Sequence, residues 1–260
     1  MFNTIGEIKA AVGSFRTDIN WLKTKTRWER DFNLYRLQPY DAGKGYYSYT
    51  SNAPRVFADK LIALLNSASL IVRIPLDVLN DEDRRIAANI ERFIYGVLNI
   101  NDERMFEIPD MPALRAQMAW YAALRGAIVI RAFVHKSPET METVPALDTW
   151  DIYNVAYGIG RKGLKWAAHT RRATREQIKD EYDIKINGKD AEIIDYWDDG
   201  KYGVIVQSQW GVELTKHNLG YCPVSIIRVG SMPIVWQAAY AYTAAHVGES
   251  IYAPNRDVYP

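Results

Sequence analysis

The 260-residue sequence predicts an α+β protein, with an N-terminal helical segment packed on a mainly antiparallel β region of barrel or sandwich type. Three observations predict it. Apolar residues recur at helical spacing through most of the first half, and short β-rich runs separated by turn residues fill positions 127–230. The dipeptides Asn187-Gly188 and Asp199-Gly200 fall between such runs and are the strongest hairpin signals in the chain.

The stretch Tyr49-Thr50-Ser51-Asn52-Ala53-Pro54-Arg55-Val56-Phe57-Ala58-Asp59-Lys60-Leu61 runs from an extended polar entry into a helix. Pro54 suits the first turn because its missing N–H costs nothing there, and Ser51 or Asn52 can accept a hydrogen bond from the free amides that follow. Val56, Phe57, Leu61, Leu64 and Leu65 then form one apolar face. Residues 69–74 read as a short strand ended by Pro75. A helix capped by Asn80 or Asp81 is expected over about 82–98, burying Ile86, Ile90, Phe93, Ile94 and Val97. An acidic loop is expected over 101–110, after which Asp110 and Pro112 open a helix with Leu114, Met118, Tyr121 and Leu124 on its core face. Gly126 ends that helix, where positive φ is often required.

Residues 127–134 should form a strand, with further strands over 150–157 and 163–170 around a glycine-rich turn. Thr174-Arg175-Glu176-Gln177 is a capping-box start for a short helix. Strands follow over 184–186, 191–197, 202–207, 210–215 and 224–229. The chain thus divides into a helix-rich part (1–126), an antiparallel β part (127–235) and a terminal helix or turn (236–260).

Lys and Arg total 32 against 31 Asp and Glu, so a net charge of +1 gives no global attraction to nucleic acid. The single cysteine, Cys222, cannot form an intrachain disulfide, which fits a reducing compartment. Met1-Phe2-Asn3-Thr4-Ile5-Gly6-Glu7 lacks the basic start and unbroken apolar run of a secretory signal. Residues 238–247 are the nearest approach to a membrane segment, but they are short and carry Tyr240, Tyr242, Thr243 and His246, so no membrane association is expected. The 8 Trp and 17 Tyr suit an interface as well as a core.

No enzyme motif survives scrutiny of its flanks. Gly158-Ile159-Gly160-Arg161-Lys162-Gly163 matches a dinucleotide-binding pattern, but Leu164-Lys165-Trp166-Ala167-Ala168-His169 reads as a returning strand where that mechanism needs a helix. Asp41-Ala42-Gly43-Lys44-Gly45 lacks the glycine and Ser/Thr of a phosphate loop. Asp195, Asp198 and Asp199 beside Tyr196 and Trp197 could form paired carboxylates on an aromatic platform, as glycosidases use, although Asp198 and Asp199 more simply serve a turn and remain in water. His135, His169, His217 and His246 lie singly, so no metal site or other cofactor is expected, and Cys222 before Pro223 reads as a small buried residue. Arg161, Lys162, Lys165, Arg171, Arg172 and Arg175, interleaved with Trp166 and His169, form the densest positive run. They are a candidate nucleic-acid or subunit contact, although strand alternation would send neighbours to opposite faces.

Four places along nearly the whole chain resemble tailed double-stranded DNA bacteriophage portal proteins. Arg30-Asp31-Phe32-Asn33-Leu34-Tyr35-Arg36 leads to the Tyr49–Leu61 stretch, with Tyr49, Asn52, Pro54, Arg55 and Asp59 as its motif positions. Pro112-Ala113-Leu114-Arg115-Ala116-Gln117-Met118-Ala119-Trp120-Tyr121-Ala122-Ala123-Leu124-Arg125-Gly126 is similar to the helix that ends in glycine before a strand of the portal wing. His217-Asn218-Leu219-Gly220-Tyr221-Cys222-Pro223-Val224 resembles the entry to the last wing strand through Gly220 and Pro223. Gly248-Glu249-Ser250-Ile251-Tyr252-Ala253-Pro254-Asn255-Arg256-Asp257 is similar to the small-residue turn before the first stem helix, with Gly248, Glu249 and Ser250 as motif positions.

The resemblance implies a structural subunit and not an enzyme, with an SH3-like β wing. It implies a homo-oligomeric ring, usually a dodecamer, at one capsid vertex of the virion, assembled in the host cytoplasm. DNA is packaged and the genome ejected through such a ring. The implied partners are the major capsid protein, scaffold, packaging motor, head-completion proteins and double-stranded DNA in the channel. Portals continue into stem helices, a clip and a tunnel loop. This chain is therefore expected to cover the N-terminal wing region, and no stem, clip or tunnel-loop role carries onto its residues. Two alternatives stand: another phage structural or adaptor protein with a similar wing module, and a carbohydrate-active enzyme working through the aromatic β region.

Overall fold

The computed structural model describes residues 2–39, 43–47, 50–75, 80–107, 111–136, 143–161, 163–229 and 248–255. Helices come first: α1 (Ile5–Thr17), α2 (Ile19–Tyr35), α3 (Ala53–Ser67), α4 (Asp81–Glu107) and α5 (Leu114–Arg125). They lead into strands β1 (Ala127–Lys136), β2 (Thr143–Trp150), β3 (Val155–Gly160) and β4 (Gly163–Thr174). Helix α6 (Arg175–Tyr182) then precedes β5 (Asp190–Asp198), β6 (Lys201–Val206), β7 (Gln209–Lys216) and β8 (Val224–Arg228). The class is α+β, as the sequence predicts.

The strands form two antiparallel sheets, of order β2-β1-β8 and β3-β4-β5-β6-β7. No closed barrel forms among the described residues, so the SH3-like expectation gives way to a sandwich-like arrangement. Val129, Trp150 and Val224 of one sheet share a core with Val155, Ala167 and Trp197 of the other, and Trp21 and Trp28 of α2 close it. The outer face of the larger sheet, with Ala156, Ala168, Ile194, Tyr196 and Ile205, is covered by Ile8 and Val12 of α1. Both faces of β5 are therefore buried, which is why adjacent residues on opposite faces, Ile193 with Ile194 and Tyr196 with Trp197, are all buried although four carboxylates interrupt the strand.

Several local expectations are corrected. Residues 69–74 form no strand; they lie extended along α4, where the Tyr95 hydroxyl accepts from the Val72 amide (2.7 Å) and Glu91 accepts from the Ile74 amide (2.8 Å). The acidic loop expected over 101–110 is helix as far as Glu107. Asn101 is fully buried inside it and satisfies the edge of β2, accepting from the Leu147 amide (2.9 Å) and donating to the Pro145 carbonyl (3.1 Å). The expected 150–157 strand is two strands broken at Asp151, whose carboxylate caps a 3-10 turn, Ile152–Asn154. Strand β2 itself carries no alternation strong enough to have been predicted. Residues 184–186 form no strand, so Asn187-Gly188 connects α6 to β5 and makes no hairpin. Asp199-Gly200 does join β5 to β6, through the Asp198 carboxylate, which accepts from the amides of Gly200 (2.8 Å) and Lys201 (2.6 Å). Asp198 is therefore buried and not solvated.

The apolar faces expected for α3 and α4 are covered only in part: Leu61, Ile94 and Val97 are half-buried, and the other members of the two stripes are exposed. Helix α3 buries Pro54 and Ala58 and leaves Val56, Phe57, Leu64 and Leu65 exposed, Leu64 by 67%. Helix α4 buries Ala87 and Asn101 and exposes Ile86, Ile90 and Phe93, the last by 65%. Small Ala58 lets α3 pack closely on Ala123 and Leu124 of α5, while the larger side chains of α3 face outward.

Candidate functional site

Three of the four portal-like places, far apart in sequence, meet at one junction. Helix α5 ends at Arg125, and Gly126 takes the left-handed conformation (φ 66°) that turns the chain into β1. Gly248 (φ 83°) lies against it. The Gly126 carbonyl accepts from the Val229 amide (2.8 Å), the Val229 carbonyl from the Glu249 amide (3.0 Å), and the Ala123 carbonyl from the Ile251 amide (2.9 Å). A Cβ on Gly126 would stand 2.4 Å from the Glu249 backbone, and one on Gly248 would stand 1.7 Å from the Gly126 oxygen. Neither position has room for a side chain.

Side chains tie this turn to the N-terminal helices. Ser250 donates to fully buried Asp31 (2.6 Å), Tyr252 donates to the Pro54 carbonyl (2.7 Å), and Arg27 pairs with Glu249 (3.4 Å). Arg55 binds Asp59 (2.7 Å) with its guanidinium 4.2 Å above the Tyr35 ring, whose hydroxyl also donates to Asp59 (3.1 Å). Burial raises the Tyr35 phenol above its ordinary pKa, and the Asp59 hydrogen bond adds to the rise. Arg125, 6% exposed, grips Asp151 with two N–H groups (2.9 and 2.7 Å) while Trp28 donates to its carbonyl (2.8 Å). Asn52 occupies the cap position of α3 without a side-chain cap bond, and Ser51 accepts from Ala53 instead (3.2 Å). Tyr49 lies outside the described residues. Gly220 (φ 72°) and Pro223 stand apart from the junction, where the Pro223 carbonyl accepts from Ala132 (2.9 Å) at the entry to β8.

The positive run does not form one surface. Arg161 and Lys165 are exposed at the β3–β4 turn, with Lys165 laid across Gly160, and Lys162 lies outside the described residues. Arg171 and Arg172 sit at the far end of β4, paired respectively with Glu181 of α6 and Asp190 of β5. The Gly158–Gly163 motif is the β3–β4 hairpin, Gly160 opposite Gly163.

Asp195 and Asp198 do not form a carboxylate pair, because their spacing along β5 sends them to opposite faces. Asp198 is held in its turn and accepts from the Tyr196 hydroxyl (2.9 Å). Asp195 forms an ion pair with Arg131 and accepts from the Trp197 indole (2.8 Å). Burial raises its carboxyl above the ordinary value, and the Arg131 charge and the indole N–H oppose the rise. Arg131 also binds Asp148, which in turn binds Arg104 (2.7 Å). Arg131 and Asp195 of this network line an apolar cleft of about 860 Å³ together with Phe93, Phe133, Trp197, Tyr202 and Tyr221. Sequence reading passed over Arg131. Its signal was a lone cation at an inward position of an apolar strand, between Val129 and Phe133.

His169 stacks on Trp150 (5.0 Å), and burial, with the nearby Arg131 and Arg171 charges, depresses its pKa to about 4. Cys222 is buried and its thiol is pushed up to about 11, so it remains protonated. Among the described residues no group of His, Cys, Asp and Glu is placed to hold a metal ion, and no helix is long and apolar enough to cross a membrane. No family model matches the chain, and no curated protein matches it significantly.

Proposed function

We propose that the chain is the wing region of a portal-type structural subunit, one that assembles into a ring for DNA passage at a phage capsid vertex. The observation that carries the assembly reading is the outward apolar face of α3 and α4. Val56, Phe57, Leu64 and Leu65 of α3 and Ile86, Ile90 and Phe93 of α4 are all exposed. Several large apolar side chains exposed along one helix suit an interaction surface better than a solvated one. The portal identity draws its support from the four sequence resemblances and from the meeting of three of them at the Gly126–Gly248 junction. The carboxylates that an aromatic-platform enzyme would need are committed elsewhere, Asp195 to Arg131 and Asp198 to its turn.

Imaging of intact particles with this chain labelled tests the proposal. Density at a single vertex is the expected result. Label distributed over the shell or along a tail would instead favour another structural protein with a similar wing module.

A further inference from the structure

A second site lies where β4 outruns its neighbour. The β3–β4 pairing ends at Val155 opposite His169, so the edge of β4 at Thr170–Arg172 is not covered by a strand. A pocket of about 380 Å³ opens there, and α1, α2 and β4 each supply a cation to it: Arg16, Lys25, Arg171 and Arg172. Glu192 is the one carboxylate among the described residues of its wall. Thr170 in its wall is only 7% exposed, and its hydroxyl has no hydrogen-bond partner among the described residues. An unsatisfied buried hydroxyl is costly and calls for a partner.

We propose that this pocket binds a phosphate oxyanion. Lys25 lies 4.4 Å above the Tyr153 ring and has no carboxylate partner among the described residues. The three guanidinium groups do have partners: Arg16 with Glu192 at 3.0 Å, Arg171 with Glu181, and Arg172 with Asp190. All three pairs are well exposed to solvent, with Arg172 73% exposed, and exposed pairs of that kind are weak and screened by salt. A phosphate brings up to two charges and several acceptor oxygens, and it can engage more than one guanidinium at once while Thr170 donates to it. The volume exceeds that of a bare ion and lies in the range of small-ligand sites, so a phosphate ester fits as well as inorganic phosphate. The four cations sit at positions 16, 25, 171 and 172, a grouping that only the fold creates.

Titration calorimetry with inorganic phosphate and with a short DNA duplex tests the proposal on the wild type and on Lys25→Gln, Arg172→Gln and Glu192→Gln. Phosphate binding should weaken about tenfold in each of the first two variants, the loss expected for one charge-assisted hydrogen bond. It should strengthen several-fold in Glu192→Gln, a direction that misfolding cannot produce. If nucleic-acid backbone is the physiological source, duplex binding follows the same order and its salt dependence falls by about one unit per cation removed. If a small phosphate compound is the source, the duplex neither binds nor displaces phosphate, and the site stands. Wild-type protein that takes up no phosphate, or affinities unchanged across the three variants, would overturn it.

Discussion

Gly126, Gly248 and Gly220 all have positive φ, yet their surroundings differ, and that difference yields a graded prediction. An alanine at Gly220 meets nothing within 4 Å and incurs only left-handed strain, about 1 kcal/mol. At Gly126 and Gly248 the added carbon also collides with backbone of the facing segment, which cannot swing aside as a flexible side chain can. Gly126→Ala and Gly248→Ala should each cost about 3 kcal/mol or more in urea unfolding, at least twice the cost of Gly220→Ala. His169 gives a second prediction at this scale. Its folded pKa of about 4 lies below its ordinary value of 6.5, so the folded chain binds fewer protons there than the unfolded chain. The associated stability is present above pH 6.5 and is lost as pH falls towards 4, by up to about 3 kcal/mol. His169→Phe, which keeps a ring against Trp150, should flatten the pH dependence of unfolding over that window.

At the scale of the element, α3 separates burial from hydrophobicity. Ala58 is fully buried against Ala123, Leu124 and Tyr252, whereas Leu64 is two-thirds exposed. Ala58→Leu should therefore destabilise by about 2 kcal/mol through overpacking, while Leu64→Ser costs less than about 1 kcal/mol in the isolated chain. Equal losses in thermal unfolding would contradict the assigned faces. The existence of α3 was legible from Pro54 and the helical spacing, but its orientation was not. Periodicity identifies an apolar face without saying whether the same chain covers it. Asn101 shows a second limit, since its polar side chain is buried by bonds to Pro145 and Leu147, more than forty positions away. Hairpin signals divided for a similar reason. Asp199-Gly200 had strands on both sides, whereas the residues before Asn187-Gly188 complete the core beneath α6 through Ile186 without pairing.

At the scale of the molecule, helices and sheets form shared cores, with α1 on one face of the larger sheet and the smaller sheet and α2 on the other. The α+β class was readable from the order of patterns along the chain. The sandwich-like pairing of two open sheets depended on β2 and on the long-range pairing of β8 with β1, neither of which local sequence encodes. The Gly126–Gly248 junction was likewise present in the sequence only as separate fragments. Folding brings α2, α3, the end of α5 and residues 248–252 together, and large apolar residues of α3 and α4 stay exposed, as the proposed assembly requires. A contact that uses different surfaces on the two partners closes into a ring when its rotation permits.

The mass and shape of the purified protein in solution test this central claim most directly, by native mass spectrometry together with electron microscopy of the same sample. The wild type should form closed rings, and a Phe57→Ser, Leu64→Ser, Phe93→Ser triple variant should give folded monomers with an unchanged circular dichroism spectrum. A wild type that stays monomeric at every concentration, or rings that survive the triple variant intact, would contradict it.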